Sequence, residues 1–268
     1  MTGTVTVERQ DNVLIATLVN PPMALMDDAM VAKLHALSRQ ADTDRTVGGV
    51  VLTGGHPTRF LAHFDVRAWW PWSGCSRCCC RSSRARRCGS RPSTGTPAVV
   101  AASSPWHVTC ASWRTDRPYG IGQPEIFLGF SPGGGGTQRL TRLLGPSGTL
   151  AICLDGGPLT PTKALAIGLV DRIIASEDLL EESFRRAAYL GRRPKLAIGA
   201  VKRSVHTGGS LPLTDGLRFE AAEFIAGIST PESITAQRAY IARMEELGDV
   251  PIADPETVAA VVERGRFV

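Results

Sequence analysis

Apolar and polar residues alternate at the start of the chain. The alternation runs through residues 4–9 and again through 14–19, and Asp11 and Asn12 between the two runs favour a turn. This pattern predicts two strands joined as a β-hairpin, which ends at Pro21 and Pro22.

The hydrophobic period changes twice over residues 27–55. Asp27 precedes apolar residues spaced along one face of a helix, Met30, Val31, Leu34 and Leu37, so this segment predicts an N-capped helix. A continuous apolar run at 47–53, closed by Gly54 and Gly55, predicts a buried strand. The first 55 residues therefore predict a β-β-α-β order, which is typical of a layered α/β core.

A glycine run at 133–136 stands before an amphipathic segment with apolar residues at helical spacing: Leu140, Leu143 and Leu144. Glycines at the start of a helix let backbone N–H groups approach a ligand closely, and the helix N-terminus favours negative charge. Without a ligand, the same pattern is simply a loop that leads into a helix. Residues 147–154 predict further helix.

The remaining segments carry clear helix boundary signals. Thr160 and Pro161 predict a helix start, and Gly168 predicts its end before a strand at 169–174. Ser176 is the predicted cap of a helix that runs to Leu190 and has four early acidic residues. Amphipathic helices are predicted at 195–205, 213–228 and 231–247, and no element at 248–268. We therefore expect an α/β core over 1–190 and a helical region over 191–268.

Composition narrows the class of protein. A chain of 268 residues can bury a large core, and its 43% hydrophobic content is ordinary for a globular protein. No apolar run reaches the length of a membrane span, and the N-terminus lacks a basic segment followed by an apolar one. We expect a cytoplasmic protein that does not act at a membrane.

One segment, residues 69–117, differs sharply from the rest. It holds eight Arg, one acidic residue, all five Trp and six of the seven Cys, but no Leu, Ile, Phe, Met or Glu. Its net charge is +7, so the rest of the chain carries −2 of the total +5. A globular core does not normally lose its apolar residues over such a length.

Metal binding, disulfide bonding and phosphate contact are the three chemistries that this Arg- and Cys-rich segment could support. Its cysteines, Cys75, Cys78, Cys79, Cys80 and Cys88, include one C-x-x-C but no second pair or His at zinc-finger spacing, so no metal site is predicted. Disulfides are not expected without a secretory signal. The basic cluster at 84–87 could contact phosphates, although a lone cluster is weak evidence for nucleic-acid binding.

Four stretches of the sequence resemble the enoyl-CoA hydratase/isomerase (crotonase) family. They are VTVERQDNVLIATLVNPP, GGVVLTGGHPTRFLAHFDV, GQPEIFLGFSPGGGGTQRL and GPLTPTKALAIGLVDRII. The resemblance covers most of residues 3–68 and 118–247. It implies a crotonase-like spiral of β-β-α units followed by a C-terminal helical region, and association of those helices in a homotrimer or a dimer of trimers.

The resemblance also implies the chemistry of the site. The substrate is an acyl-CoA thioester, so coenzyme A enters as part of the substrate and no prosthetic group or metal is expected. By position, Glu125 is a catalytic carboxylate, against the alternative of a glutamate that bridges a turn. The Ala62 N–H is one of two donors that hold the thioester oxygen. The implied substrate contacts are Met23, Ala24, Ala62, His63, Phe64, Asp65 and Gly133.

The chain departs from the family at several of these places. His63 and Phe64 stand where the family has small residues, and His63 is more simply a structural or solvent-facing residue than an acid or base. The second oxyanion N–H falls near Val99 and Val100, and the second glutamate falls near Ser103, where no carboxylate is written. Lys202 and Arg203 are predicted as solvated surface, with contact to the CoA phosphates as the alternative.

A shifted reading frame accounts for the departures within residues 69–117. Codons that begin at the third base of each written codon permit GHASGGGCELALACDLRFMADG over residues 94–117, which resembles the family's central glycine-rich motif. The hypothesis is a pair of compensating frameshifts near Ala68 and Arg117, in the gene or in its recorded sequence.

Three functions remain open from the sequence. The first is an enoyl-CoA hydratase or isomerase with a frameshifted middle, the second a non-catalytic CoA-binding or scaffold relative, and the third a nucleic-acid binder that uses the Arg-rich segment. The first is favoured, and nucleic acid is not expected as a partner.

Overall fold

The computed structural model describes residues 2–57, 60–62, 65, 97–101, 110–114, 120–132 and 135–267, with the backbone alone described at 97–101 and 110–114. Six strands form one sheet in chain order. They are β1 (Thr4–Gln10), β2 (Val13–Val19), β3 (Gly49–Gly54), β4 (Pro97–Ala101), β5 (Cys110–Arg114) and β6 (Arg172–Ile174).

Four of the six strands run in the same direction, so their carboxyl ends lie at one edge of the sheet. Strands β1 and β2 are antiparallel, as the hairpin prediction required, and β2 and β3 are parallel. Strand β4 is antiparallel to both of its neighbours, and β5 is parallel to β6. Strands β2, β3, β5 and β6 therefore all end at the same edge, called here the carboxyl edge.

Eight helices lie among the described residues. They are α1 (Asp28–Thr43), α2 (Gly136–Asp155), α3 (Pro161–Ala166), α4 (Leu179–Gly191), α5 (Lys195–His206), α6 (Leu213–Ile228), α7 (Pro231–Leu247) and α8 (Pro255–Arg264). The α/β class predicted from the sequence is confirmed, as are the helices predicted between residues 195 and 247.

Alternation along β2 and β3 divides the core between two helices. Leu14, Ala16 and Val50 pack with the buried face of α1, which Asp27 caps by accepting the Met30 N–H. Val13 and Val51 are the neighbours of Leu14 and Val50 along the strands, and they pack instead with α4. Because successive strand residues point to opposite faces, this alternation makes a three-layer α/β/α core.

Two predicted boundaries are corrected. Strand β6 begins at Arg172 rather than residue 169, because the N–H groups of Leu169 and Val170 donate to the Ala164 carbonyl and close the turn after α3. Helix α4 has Asp178 at its N-cap rather than Ser176, because residues 175–178 first form a turn through the bond from the Asp178 N–H to the Ala175 carbonyl.

The C-terminal tail, for which the sequence predicted no element, folds back onto the core. It forms a 3-10 turn at Pro251–Ala253 and then α8. The guanidinium groups of Arg192 and Arg193 donate to the Glu263 and Val262 carbonyls at the end of α8, at 2.7 and 3.3 Å. Cationic donors at a helix C-terminus satisfy its unpaired carbonyls and favour its dipole.

Helices α6 and α7 have no buried residues in the single chain. Their exposed apolar residues include Leu213, Leu217, Phe224, Ile225 and Ile241. In the part of the chain that the structure describes, no helix is both long and apolar enough to cross a bilayer.

Candidate functional site

Glu125 lies in a short 3-10 helix, Pro124–Leu128, that connects the sheet region to α2. Its side chain is buried although the residues that follow are exposed, with Phe127 69% and Leu128 64% accessible. Pro124 occupies the first position of the turn, where its missing N–H costs no hydrogen bond. The turn thus directs a carboxylate inward from a segment that otherwise faces outward.

The chain before this turn is fixed by a very close backbone approach. Ile121 pairs with Leu159 in an isolated antiparallel bridge, and the Leu159 N–H donates to the Ile121 carbonyl at 2.8 Å. A Cβ placed on Gly120 would meet the Leu159 carbonyl oxygen at only 2.0 Å. Glycine is therefore required at position 120 for the two segments to pack.

Both ends of α2 hold the turn that carries Glu125. The Gln123 side chain lies against Gly136 at the start of α2, where a Cβ would meet its amide oxygen at 2.4 Å. At the other end, Ile126 and Phe127 pack over Gly156, whose left-handed conformation (φ 66°) closes the helix. The helix is interrupted at Gly145 (φ 72°, ψ 173°) and Pro146, so two helical segments, one from each end of α2, contact the turn that carries the carboxylate.

Cys153 lies on the inner face of α2, close enough to Glu125 for the carboxylate charge to affect its thiol. Burial raises the pKa of the Cys153 thiol, and the negative charge of Glu125 raises it further. The thiol is 8% exposed and uncharged at neutral pH, so it forms part of the apolar wall beside the carboxylate.

The glycine run leads into α2 as the sequence predicted. Gly135 is the N-cap in the left-handed conformation (φ 87°), and the Arg139 guanidinium folds back over it. Gly133, an implied substrate contact, lies outside the described residues. The helix N-terminus therefore carries a cation beside its first turn.

A second group of predicted site residues meets at the carboxyl edge. The Ala62 N–H donates to the Ala24 carbonyl at 2.8 Å, and the Asp65 N–H donates to the Met26 carbonyl at 2.8 Å. Ala24 is buried, whereas Met23 beside it is 43% exposed. The structure thus brings together Ala24, Ala62 and Asp65 by backbone pairing of the 24–26 and 60–65 segments.

Val100, the expected position of a second oxyanion donor, lies within β4. It is in register with Val51 on β3 and with Cys110 on β5. A residue inside a central strand has its backbone groups committed to the sheet, unlike a residue in the loop that an oxyanion donor requires. His63, Phe64, Ser103 and most of residues 69–117 lie outside the described residues.

A shallow cleft of about 340 Å³ opens at the same edge of the sheet. Residues 53–57, which follow β3, form one wall, and Ser176, Leu179 and Leu180 at the start of α4 form the other. Ligands of open α/β sheets bind at the carboxyl ends of strands, so the cleft has a position suited to binding. No local pattern in the sequence predicts this cleft, because its walls come from segments more than 100 residues apart.

Lys202 was predicted as solvated surface, and the structure shows that this is wrong. The residue is only 9% exposed, and burial lowers the pKa of its ammonium group to about 8 against the opposing charge of Asp42. Burial also lowers the pKa of His206, as do the positive charges of Lys202 and Arg139. The end of α5 and the start of α2 are thereby linked electrostatically.

Arg203, by contrast, is at the surface as predicted. Its side chain is 52% exposed and forms two hydrogen bonds to the Glu223 carboxylate of α6, both at 2.7 Å. This planar pair connects α5 to α6 and leaves the guanidinium committed to a structural contact.

The chain matches a family model described as enoyl-CoA hydratase/isomerase over residues 108–246. A probable mitochondrial enoyl-CoA hydratase of Dictyostelium discoideum is 36% identical over 121 residues, which are 45% of this chain and 44% of that protein. A probable enoyl-CoA hydratase of Rhizobium meliloti is 29% identical over 263 residues, which cover 90% of this chain and 95% of the relative.

Solved structures show the same fold. An enoyl-CoA hydratase/isomerase from Mycobacterium paratuberculosis superposes with a TM-score of 0.73 at 18% identity, covering 90% of this chain and 96% of that one. An enoyl-CoA hydratase from Bacillus anthracis superposes with a TM-score of 0.70 at 19% identity, covering 92% and 97%.

Proposed function

The chain belongs to the enoyl-CoA hydratase/isomerase family, and on that premise we propose that it binds an acyl-CoA thioester and acts at the carbons next to the thioester. Coenzyme A enters as part of the substrate, and no prosthetic group is needed. The observation that carries the proposal is Glu125, a carboxylate turned inward on a short helix that both ends of α2 support.

The chemistry requires a base or acid and a stabilised oxyanion. Addition of water to a 2-enoyl thioester places the hydroxyl on the β-carbon and a proton on the α-carbon, with negative charge on the thioester oxygen between the two steps. Glu125 exchanges the proton. Backbone N–H groups stabilise the enolate charge, and Ala62 is the proposed donor among the described residues.

The remaining substrate contacts follow from the same placement. The Ala24 carbonyl accepts the Ala62 N–H, Met23 precedes Ala24 in the chain, and Asp65 lies on the same segment as Ala62. His63, Phe64 and Gly133 are proposed as further contacts. The positions of Val100 and Ser103 are proposed to supply the second N–H donor and the second carboxylate only in a restored reading frame, because β4 commits the Val100 backbone to the sheet in the written one. Isomerisation of the double bond would use the same enolate and remains the alternative reaction.

A second candidate function is CoA binding without turnover. The written sequence has no carboxylate at Ser103, and the structure commits the Ala62 N–H to the Ala24 carbonyl. Both features lower the catalytic capacity of the chain without removing its fold. A saturated thioester that binds, together with an enoyl thioester that binds but is not hydrated, would support this candidate.

We also propose that the chain forms a homotrimer, singly or as a dimer of trimers. The support is that α6 and α7 bury none of their residues although both carry large exposed apolar side chains. Exposed apolar surface of this kind marks an association face. A cytoplasmic location stays a prediction.

The test begins with peptide mass mapping of the purified protein across residues 68–118, which shows which reading frame the protein carries. Hydration of a short 2-enoyl-CoA is then measured for the wild type, Glu125→Gln and the exposed control Glu177→Gln. We expect Glu125→Gln to lower kcat by about 10²–10⁴-fold, the usual contribution of a positioned acid or base, and Glu177→Gln to leave it unchanged. Equal rates for all three proteins would contradict the assignment of Glu125.

A further inference from the structure

The C-terminal tail, residues 248–267, contacts both the α/β core and helix α7. Its own helix, α8, has 10 residues, and an isolated helix of that length is marginally stable in water. Contacts with other elements must therefore hold α8 in place. These contacts lie at the end of α4 and along α7.

The contact with the core is made at the C-terminus of α8. The Arg192 guanidinium donates to the Glu263 carbonyl at 2.7 Å. The Arg193 guanidinium donates to the Val262 carbonyl at 3.3 Å. Gly265 (φ 92°) ends α8 directly against the Arg192 backbone, where a Cβ would meet the Arg192 carbonyl oxygen at 2.6 Å. Glycine is therefore required at position 265 for α8 to end against the core.

The same tail holds α7 at both ends. In the last turn of α7, the Arg243 guanidinium donates to the Thr257 hydroxyl at 2.9 Å and to the carboxylate of Asp254, the N-cap of α8, at 3.3 Å. In the first turn of α7, the Glu232 carboxylate accepts a hydrogen bond from the Arg266 guanidinium at 3.0 Å. The tail thus runs back along α7 from its C-terminus to its N-terminus.

Directed contacts of this kind decide where α7 lies. The helix buries none of its residues, so it gains little from the hydrophobic effect in the single chain. Between the two ends, the Tyr240 ring meets the Phe267 ring edge-on at 5.1 Å, a favourable geometry for an aromatic pair. The tail therefore supplies ring, ion-pair and hydrogen-bond contacts to α7.

The tail and the exposed apolar residues of α7 lie on opposite faces of the helix. Glu232 and Arg243 are about three turns apart, so they share the face that meets the tail. Ile234 and Ile241 are about two turns apart and share another face, where they are 40% and 48% exposed. Ile241 is about two and a half turns from Glu232, on the other side of α7. The tail thus holds one face and leaves the apolar face uncovered.

We propose that residues 248–267 form a strap that sets the position of α7 against the core, and that association between copies of the chain depends on this strap. The inference rests on the proposed homotrimer, because it takes the apolar faces of α6 and α7 as the association surface. With the strap in place, α7 presents its apolar face in one orientation. When the strap is released, fewer chains have that orientation, and the concentration needed for association rises as the competent fraction falls.

Gly265→Ala tests the strap at its contact with the core. The added Cβ would overlap the Arg192 carbonyl oxygen, a backbone atom that no side-chain rotation can move. The hydrogen bonds from Arg192 and Arg193 to the end of α8 would then be lost. Association is measured by sedimentation velocity over a range of protein concentrations. We expect the midpoint concentration for association to rise by about tenfold or more.

The matched control is Gly248→Ala. Gly248 ends α7 as Gly265 ends α8, and both have left-handed conformations, with φ of 65° and 92°. A Cβ at Gly248 would meet nothing within 4 Å, so this variant has the conformational strain without the overlap. It should associate at the wild-type concentration. An equal shift in both variants, or no shift in Gly265→Ala, would contradict the strap.

Amide hydrogen exchange, measured below the association midpoint, reports on α7 in the single chain. Gly265→Ala should raise deuterium uptake over residues 231–247, with uptake over β2 and β3 unchanged. Unchanged uptake over 231–247 would overturn the strap. A wild type that stays monomeric at every concentration would instead refute the proposed trimer, and with it the role of the strap in association. A trimeric wild type with an unaltered Gly265→Ala variant would refute the strap alone.

A second variant covers the case in which Gly265→Ala does not fold. Arg192→Met keeps the apolar stem of the side chain but removes the donor to the Glu263 carbonyl. Its control is Arg185→Met, because the Arg185 guanidinium pairs with Glu182 inside α4. Arg192→Met should raise the midpoint concentration for association, and Arg185→Met should leave it unchanged. The same midpoint for the wild type and both variants would contradict the proposal.

Discussion

Gly120→Ala is the substitution for which the structure gives the most definite consequence. The added Cβ would lie 2.0 Å from the Leu159 carbonyl oxygen and 2.8 Å from the Pro158 Cβ. Because the first of these is a backbone atom, no side-chain rotation can relieve the contact. The segments at 120–122 and 157–159 would have to separate, which breaks the hydrogen bond between Leu159 and Ile121.

The cost has two parts. Inserting a methyl group into a closely packed site costs about 1–3 kcal/mol. Loss of the backbone hydrogen bond adds about 0.5–1.5 kcal/mol. We therefore expect the free energy of unfolding to fall by about 2–4 kcal/mol, with a decrease in melting temperature of roughly 4–7 °C for a chain of this size.

Two other glycines provide matched controls. A Cβ at Gly129 would meet nothing within 4 Å, so Gly129→Ala adds only the strain of its left-handed conformation (φ 77°), about 1–2 kcal/mol. A Cβ at Gly227 in α6 also meets nothing within 4 Å, and Gly227→Ala should stabilise the helix by up to about 1 kcal/mol.

The assay is urea unfolding of the three variants, with thermal melts in parallel. The expected order of stability is Gly227→Ala, wild type, Gly129→Ala and then Gly120→Ala. The reasoning is refuted if Gly120→Ala is as stable as Gly129→Ala, since the close approach would then not be present. In an active preparation, Gly120→Ala should also lower turnover, because the displaced segment leads directly to Glu125.

Two further predictions concern the lysines of α5. Burial holds the pKa of Lys202 at about 8 in the folded chain against 10.5 in the unfolded one, so the unfolded state binds more protons between these values and stability rises with pH across that window. The gain in the free energy of unfolding from pH 7 to pH 11 is roughly 3 kcal/mol. In urea unfolding, the stability of Lys202→Met should rise less with pH than that of the wild type. An equal rise in both proteins would contradict the burial of Lys202. The Lys195 ammonium donates to the Ala41, Asp44 and Val47 carbonyls at 2.5, 2.9 and 3.4 Å. Lys195→Met should therefore lower the free energy of unfolding by about 2–4 kcal/mol and raise amide exchange in the last turn of α1. Wild-type exchange in that turn would contradict this role of Lys195.

Elements whose signals are local could be predicted from the sequence. The hairpin of β1 and β2, the cap of α1 at Asp27 and the helices α5 to α7 depend on alternation, helical spacing and capping side chains within a few residues. The motif around Glu125 and the glycine run also lie in one continuous stretch, which is why the family resemblance and the proposed catalytic carboxylate could be read before any coordinates.

Features made by two distant segments could not be predicted in this way. The sequence placed Ala62 as a free donor, and only the approach of the 24–26 segment shows that its N–H is committed to Ala24. Lys202 has the local pattern of a surface residue, yet packing of α5 near Asp42 of α1 buries it. Ser176 has the chemistry of a helix cap, but a turn at 175–178 moves the helix start to Asp178.

The difference between the features that could be predicted and those that could not has one physical cause. Hydrophobic period, capping and turn chemistry act over one or two turns of chain, so the sequence alone determined the order and type of the elements and the identity of the proposed acid or base. Burial, hydrogen-bond partner and pKa depend on what another segment brings within a few ångströms. Only the tertiary structure decided that both ends of α2 contact the turn that carries Glu125 and that the Ala62 N–H donates to the Ala24 carbonyl.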